Sequence, residues 1–365
     1  MNIILLGATG TTGKLVLEQL TKENIKPILV GRSKEKLTVL SSQYDGLPIH
    51  IADAQNFDDL AEVVNEGDLL ISTVGPFNEL GRIPVKVAIE KGAHYIDSNG
   101  EPTFITHVYD EYKDQLKNSK SLILTSSGFD YVPGQFLGAK LANDLDERVS
   151  TVNIFYTNQQ GKFANLTTGT ISSLFGALTE KGVFYNDNKH YQHFLGAKSH
   201  TIKTDGKIVK GISVAGTEGY ELPTLYPHLS NVNVYLGWFG KFGAMIAGFN
   251  KLQHKLLKSR TYLKFTKKLL SAIKVPQRTC PKITAKDEDP SLVIAQAYDK
   301  DGTLIQEYNL KGHNMYYYTG EIMAWMASKI QAGEISEYGV IGAVRAFGID
   351  ELEQAHAEIG FQIEK

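Results

Sequence analysis

Hydrophobic and polar positions alternate along residues 1–125 in the pattern of successive strand and helix pairs. Short apolar runs recur, and between them apolar residues return every three or four positions, as on one face of a helix. The predicted strands are Ile3–Leu6, Lys26–Val30, Pro48–Ile51, Leu69–Thr73, Ala93–Ile96 and Ser121–Thr125. The predicted helices are Gly13–Lys22, Lys34–Gln43, Phe57–Asn65, Ile83–Lys91 and Phe104–Lys117. This alternation predicts a doubly wound parallel sheet, a Rossmann domain.

From Thr151 onward the pattern changes to the alternation of strands and hairpins, which predicts a second domain with a mixed sheet. Asp205-Gly206 and Asp301-Gly302 are typical of hairpin turns. Helices are predicted at Ile171–Leu178, Tyr316–Gln331 and Glu351–Glu358. The fold class is therefore α/β, with an N-terminal Rossmann sheet and a second α+β domain. The predicted boundaries are 1–125 for the Rossmann domain, 126–335 for a substrate and dimerisation domain, and 336–365 for a closing helix and strand.

A glycine-rich loop, Gly7-Ala8-Thr9-Gly10-Thr11-Thr12-Gly13, joins the first strand to the first helix. Glycines allow a tight turn and a close approach to a pyrophosphate, and the N–H groups at the helix start bind the anion. An ordinary tight turn is the alternative, but the strand before and the helix after the loop favour a dinucleotide. The candidate cofactor residues of the loop are Gly7, Thr9, Gly10, Thr11, Thr12 and Gly13.

The residues after the second strand bear on the choice between NAD and NADP. NAD sites usually place Asp or Glu there, on the ribose 2′-hydroxyl. This chain has Gly31-Arg32-Ser33-Lys34, so no carboxylate is expected to repel a 2′-phosphate. Arg32 could lie against the phosphate and Ser33 could donate a hydrogen bond to it. A solvated helix start with Ser33 as its N-cap is the alternative, and we favour NADP.

Two further loops are expected at the same edge of the sheet, because ligands bind beyond the carboxyl ends of parallel strands. Asp53 and Ala54 follow the third strand and could meet the adenine. Thr73, Gly75 and Pro76 follow the fourth strand, where the glycine would leave room for the nicotinamide. Either loop could instead be simple turn chemistry.

Further motifs follow in the first 142 residues: Val74-Gly75-Pro76-Phe77, Gly92-Ala93-His94-Tyr95-Ile96-Asp97, Gly100-Glu101-Pro102 and Gly128-Phe129-Asp130-Tyr131-Val132-Pro133. Together with the glycine loop and Gly31-Arg32-Ser33, these motifs resemble those of the saccharopine dehydrogenase-like oxidoreductases. The resemblance implies an NADP-binding Rossmann domain, a second mixed-sheet domain and a substrate between them. The family includes saccharopine dehydrogenases and trans-acting enoyl reductases, so the resemblance does not identify the substrate. We find no arginine cluster suited to an amino-diacid substrate.

Four polar residues are candidates for proton transfer at the reacting end of the substrate. Asp97 and Glu101 follow the fifth strand, and Asp130 and Tyr131 follow the sixth. A carboxylic acid or a tyrosine beside the nicotinamide could serve as proton donor. Structural roles are the alternative, since Glu101 precedes a proline and Asp130 could hold backbone N–H groups of a tight turn.

A rival arrangement is Ser98, Tyr109 and Lys113, because Tyr-x-x-x-Lys with an upstream serine is how short-chain dehydrogenases activate their tyrosine. The acidic residues around Tyr109 also fit a plain exposed helix. We keep this arrangement as the mechanistic alternative.

The amino-acid composition limits the class of protein and its expected cellular location. The 365 residues are 42% hydrophobic and 21% charged, as in soluble globular proteins. The single cysteine, Cys280, excludes an internal disulfide, and no ligand set forms around His190 and His193, so no metal is predicted. The sequence after Met1 has neither a basic leader nor a long apolar run, so a cytoplasmic location is expected.

One segment, Leu222–Lys286, holds twelve of the 38 Lys and Arg residues and none of the 40 Asp and Glu residues. Aromatic and aliphatic residues followed by clustered cations are typical of a helix at an anionic lipid surface, so peripheral membrane contact through 232–278 is one prediction. The alternative is a core helix with a solvated basic face and a homodimer contact over Trp238 and Phe239. No nucleic-acid partner is expected, because no such module is present.

The sequence as a whole predicts an NADP-dependent oxidoreductase that reduces a C=O, C=N or C=C bond of a small-molecule substrate. A hydrophobic or lipid-linked substrate would follow from the membrane prediction. The competing hypothesis is a non-catalytic NADP-binding protein that acts at a membrane surface or as a partner scaffold.

Overall fold

The computed structural model describes residues 1–159, 180–204, 206–238 and 286–365. Its contacts divide the chain into two compact units, and each unit is assembled from separate stretches of sequence. The first unit comprises Met1–Gly100, His107–Val132 and Met315–Ile359. The second unit comprises Glu101–Thr106, Pro133–Asn314 and Gly360–Lys365.

The secondary-structure elements of the described residues are numbered in chain order. The strands are β1 (Ile3–Leu6), β2 (Ile28–Gly31), β3 (Ile49–Ile51), β4 (Leu69–Ser72), β5 (His94–Asp97), β6 (Leu122–Leu124), β7 (Thr151–Asn158), β8 (Lys181–Asn186), β9 (Lys189–Phe194), β10 (Ser199–Thr204), β11 (Lys207–Val214), β12 (Asn231–Leu236), β13 (Ser291–Tyr298), β14 (Leu304–Gly312), β15 (Gly339–Val340) and β16 (Gln362–Glu364). The helices are α1 (Thr11–Lys22), α2 (Lys34–Ser42), α3 (Phe57–Ala61), α4 (Phe77–Leu80), α5 (Arg82–Lys91), α6 (Pro102–Tyr112), α7 (Val132–Leu145), α8 (Glu218–Leu225), α9 (Met315–Ala332), α10 (Ala343–Phe347) and α11 (Ile349–Ile359).

The first unit contains a parallel sheet with the strand order β15-β6-β5-β4-β1-β2-β3 among the described strands. All neighbouring strands in it are parallel. The central strands β1, β4 and β5 are buried along their whole length, as expected when helices cover both faces of a sheet. The predicted doubly wound Rossmann fold is confirmed. The chain turns from one half of the sheet to the other between β1 and β4, and such sheets bind ligands beyond the strand ends at that point.

Helix α9 belongs to this first unit, although the sequence analysis assigned residues 126–335 to the second domain. It packs closely on α1, because a methyl group on Gly320 would lie 3.0 Å from the main chain of Leu15. Strand β15 then pairs with β6 and extends the sheet. The boundaries in space therefore differ from the predicted 1–125, 126–335 and 336–365, since the chain returns to the first unit after leaving it.

The second unit contains a mixed sheet with the order β10-β11-β12-β7-β13-β14-β16, and β8 and β9 are joined to it through β12, as far as the structure describes it. Its central strand β7 pairs in parallel with β12 and antiparallel with β13. Helix α7 packs against this strand, since a methyl group on Gly138 would lie 3.2 Å from Ile154. The predicted mixed-sheet α+β domain is confirmed, and both predicted hairpins, β10–β11 and β13–β14, are present.

The first residues of the segment predicted to contact a membrane form part of this sheet. Val232–Leu236 lie in β12, between β7 and β11, and the side chain of Trp238 is buried. Residues 232–236 therefore pair on both sides within a sheet, and membrane contact through 232–278 stays a prediction. The predicted helix Ile171–Leu178, Asp205, and residues 239–285 with Phe239 and Cys280 lie outside the described residues.

Candidate functional site

The glycine loop after β1 has the local geometry of a backbone cradle. Gly7 has a φ of +87°, which favours glycine, and its N–H donates to the carbonyl of Val30 at 2.9 Å. A methyl group on Gly7 would lie 2.7 Å from the Thr73 hydroxyl, and one on Gly13 would collide with the Gly7 carbonyl. No side chain therefore fits at these two positions, and the loop brings the ends of β1, β2 and β4 together.

Helix α1 begins directly after this loop without a side-chain cap. Its N-cap is Gly10, and no side chain accepts a hydrogen bond from the first turn there. The first turn also contains no acidic residue. Uncapped N–H groups and the positive end of the helix dipole suit an anion such as a pyrophosphate. Thr9, Thr11 and Thr12, predicted with the glycines, are half-buried in this loop and first turn.

The residues after β2 include the helix N-cap that the sequence analysis gave as its alternative. Arg32 is exposed, and Ser33 is the N-cap of α2, accepting a hydrogen bond from the Lys36 N–H at 3.3 Å. The Ser33 hydroxyl donates to the Glu35 carboxylate at 2.9 Å. The expectation that no carboxylate stands here is wrong, because the first turn of α2 brings Glu35 back to Ser33.

The loops after β3 and β4 use their polar groups within the fold. The Asp53 carboxylate accepts from the N–H of Gln55 at 2.9 Å, which is a turn contact, and Ala54 is buried. The Thr73 hydroxyl donates to the Leu6 carbonyl at 3.0 Å. Gly75 is exposed, and a methyl group on it would meet only Phe77, at 3.6 Å, while Pro76 precedes α4. The fold itself therefore does not require glycine at position 75.

Asp97 at the end of β5 is fully buried and surrounded by donors. Its carboxylate accepts from the Ser126 N–H at 2.8 Å, the Asn99 N–H at 3.0 Å and the Thr125 hydroxyl at 3.0 Å. Burial raises the pKa of Asp97 to about 6, although these hydrogen bonds act in the opposite direction. Asp97 thus ties the loop after β5 to the loop after β6.

Asp130, in the loop after β6, lies in a different environment. Its Oδ1 atom is buried without a hydrogen-bond partner among the described residues. Its Oδ2 atom would lie 2.8 Å from a methyl group on Gly100, so the carboxyl packs against the loop that follows β5. Burial raises the pKa of Asp130 to about 7. A carboxyl group that is half protonated at neutral pH can donate or accept a proton.

The other two proton-transfer candidates, Tyr131 and Glu101, are buried residues. Tyr131 is 2% exposed, and its hydroxyl is 3.5 Å from the Gly100 carbonyl. Glu101 is 5% exposed and belongs to the second unit, where its carbonyl accepts from the Phe104 N–H. The structure therefore brings Asp97, Asp130 and Tyr131 together around Asn99 and Gly100 of the first unit.

Thr319 of α9 supports the loop that carries Asp130, and the sequence analysis missed it. Its hydroxyl accepts from the Phe129 N–H at 3.1 Å and donates to the Met315 carbonyl at 2.9 Å. A methyl group on Gly128 would lie 2.8 Å from the Thr319 side chain, which explains the glycine. No local signal points to this contact, because 190 residues separate the two partners.

The structure gives little support to the alternative arrangement of Ser98, Tyr109 and Lys113. Helix α6 ends at Tyr112, before Lys113. The Lys113 amine lies over the face of the Tyr109 ring, 6.0 Å from its centroid, and Tyr109 is 3% exposed in the core. A buried tyrosine under a lysine is a packing contact in the first instance. The described residues contain no group of three or more His, Cys, Asp or Glu side chains that could hold a metal ion.

The parallel sheet and its glycine loop define the first unit as a dinucleotide-binding Rossmann unit. Residues 3–124 match the family model described as saccharopine dehydrogenase NADP binding domain. Residues 3–124 therefore resemble the NADP-binding domain of saccharopine dehydrogenases, and the predicted resemblance is confirmed.

The curated proteins that match this chain are longer than it is. A Caenorhabditis elegans protein named lipid droplet localized protein is 29% identical over 201 residues, which cover 49% of this chain and 46% of that protein. A human saccharopine dehydrogenase-like oxidoreductase is 29% identical over 181 residues, covering 44% of this chain and 42% of that protein. The chain thus matches less than half the length of these curated relatives.

The fold also matches a solved structure. The apo saccharopine dehydrogenase (L-Glu forming) of Saccharomyces cerevisiae superposes with a TM-score of 0.62 at 13% identity, covering 100% of this chain and 99% of that one. At this identity the similarity shows the fold alone. Within the described residues, no helix is long and apolar enough to cross a membrane.

Proposed function

We propose that this protein is an NADP-dependent oxidoreductase that reduces a C=O, C=N or C=C bond of a hydrophobic or lipid-linked small molecule. The observation that carries the proposal is Asp130, whose buried Oδ1 atom has no hydrogen-bond partner in the described structure. A fold rarely leaves a buried carboxyl oxygen without a partner unless the group has another use. The family match of residues 3–124 and the oxidoreductase relatives support the reaction class.

The residues at the strand ends fit the dinucleotide. Gly7, Gly10 and Gly13, with the first turn of α1, would hold the pyrophosphate, and Arg32 would neutralise the 2′-phosphate. A side chain at Gly75 would meet little of the protein itself, so its absence suits a ring that lies against the backbone. When bound, NADPH supplies the hydride, and the chain supplies position and the proton.

The strand order explains how Asp130 could act beside this site. Strand β5 lies between β4, which carries the Gly75 loop, and β6, which carries Asp130. Adjacent strands are ~4.8 Å apart, so β6 alone would be ~10 Å from β4. The Asp130 carboxyl packs against Gly100 in the loop after β5, the strand next to β4. We propose that Asp130 donates the proton to the substrate.

Asp97 takes a different role in the proposal. Its carboxylate already accepts three hydrogen bonds, which fix the loops after β5 and β6 relative to each other. Asp97 is therefore a positioning residue. Tyr131 fixes the same loop from within the core. Glu101 stays a predicted site residue.

Lipid association is a second part of the proposal. The C. elegans relative is named for its lipid droplet location, and the acid-free segment of this chain carries the cations that anionic lipid would attract. We propose a cytoplasmic, membrane-associated protein on these grounds. The homodimer and the absence of a nucleic-acid partner stay predictions.

Substrate profiling tests the reaction class. The full chain should oxidise NADPH when given one compound type from a panel of ketones, imines and enoyl compounds, and a hydrophobic member of that type should react fastest. Loss of NADPH absorbance with each compound is the measurement. NADPH binding without oxidation by any member would favour the non-catalytic, scaffold hypothesis instead.

Replacing Arg32 tests the choice of coenzyme. Arg32→Ala removes a charge-assisted contact to the 2′-phosphate and should weaken NADPH binding about 10–100-fold. NADH lacks that phosphate, so its affinity should change much less. Fluorescence titration with both coenzymes measures the effect. An equal loss for both would reject the phosphate assignment, and Lys26→Ala, at an exposed cation before β2, is the matched control.

A further inference from the structure

Glu35 lies where the adenosine end of the coenzyme is expected to bind. Its carboxylate already accepts hydrogen bonds from the donors at that position. It is in the first turn of α2, directly after the carboxyl end of β2, where Rossmann domains read the ribose. Its Oε2 atom accepts the Ser33 hydroxyl hydrogen at 2.9 Å. A backbone hydrogen bond and the Ser33 contact lower the pKa of Glu35, so the side chain is ionised at neutral pH.

A 2′-phosphate in this place would compete with Glu35 in two ways. The Ser33 hydroxyl has one hydrogen, so it cannot donate to the carboxylate and to a phosphate at the same time. Two anions at one helix start also repel each other, although solvent reduces the repulsion because Glu35 is exposed. The bare 2′-hydroxyl of NADH meets neither obstacle and could donate a hydrogen bond to a carboxylate.

We propose that Glu35 is a specificity-determining residue that reduces the preference of this protein for NADPH over NADH. It occupies the Ser33 donor in the free protein and has to turn away when the 2′-phosphate binds. Arg32 then increases the preference for NADPH over NADH, and Glu35 decreases it. This inference rests on the proposed function, because it assumes that a dinucleotide lies over the glycine loop.

Two substitutions separate charge from donor competition. Glu35→Gln keeps an oxygen that can accept from Ser33 but removes the charge, whereas Glu35→Ala removes both. The ratio of NADH to NADPH dissociation constants should rise about two- to fivefold in Glu35→Gln, the range for an exposed charge, and further in Glu35→Ala. The increase from Glu35→Gln should shrink at high salt.

The control is Glu23→Gln, which removes an exposed carboxylate at the opposite end of α1 and should leave the ratio unchanged. Both coenzymes are titrated by fluorescence against wild type and variants, with thermal unfolding as a check on folding. An unchanged ratio in both Glu35 variants, with wild type binding NADPH, would overturn this inference and leave the proposed function standing. No binding of either coenzyme to wild type would overturn both.

Discussion

Replacing Asp130 with asparagine should lower the turnover number about 10²–10⁴-fold, the usual contribution of a positioned proton donor. The amide keeps the shape of the side chain but cannot supply the proton. Affinity for NADPH should stay unchanged, because no coenzyme contact is assigned to Asp130. The measurement is steady-state kinetics with the substrate found by profiling, beside a coenzyme titration of the same variant.

The pH dependence of the wild type gives the same prediction a second readout. A proton donor acts in its protonated form, and the pKa of Asp130 is raised to about 7 by burial. The rate should therefore be highest below pH 7 and fall as the pH rises through that value. Asp130→Asn should lose this dependence. A variant with near wild-type turnover, or a wild-type rate that rises through neutral pH, would contradict the assignment.

Adding a methyl group to Gly100 should have the second-largest effect. In Gly100→Ala the new Cβ atom would lie 2.8 Å from Asp130 Oδ2, so the carboxyl has to move. A shift of ~1 Å at a reacting group can cost about 10²-fold in rate. Turnover should fall by this order while NADPH binding persists. Kinetics and coenzyme titration of the variant measure the two quantities separately.

Gly219→Ala is the matched control for this substitution. It adds the same methyl group where the nearest atom lies 3.9 Å away, in helix α8 of the second unit. Its thermal stability and turnover should resemble those of the wild type. Equal turnover of Gly100→Ala and the wild type would show that the position of the Asp130 carboxyl does not matter for the reaction.

The local sequence pattern predicted most of the first unit, because the strands and helices around a parallel sheet are marked by short-range hydrophobic periodicity. Strands β1 to β6 lie within two residues of their predicted bounds. Helix α6 begins at Pro102 instead of Phe104, as suits a proline in a first turn, and it ends at Tyr112 instead of Lys117. The place of α9 and β15 in the same unit could not be predicted, since it depends on contacts between residues far apart in the chain.

The candidate site was predictable in its residue types and less so in their roles. Asp97 and Asp130 look alike in sequence, since each follows a predicted strand. Only the structure separates them, because Asp97 accepts three hydrogen bonds and the Asp130 Oδ1 atom accepts none from the described residues. Glu35 was missed for a local reason, since the first turn of a helix returns residue 35 to Ser33.

Equilibrium dialysis of the 365-residue chain against NADPH tests whether the glycine loop and Arg32 hold a dinucleotide with a 2′-phosphate. One NADPH should bind saturably per chain, and NADH should bind more weakly. If folded protein retains neither coenzyme above the buffer concentration, the glycine loop is not a dinucleotide site.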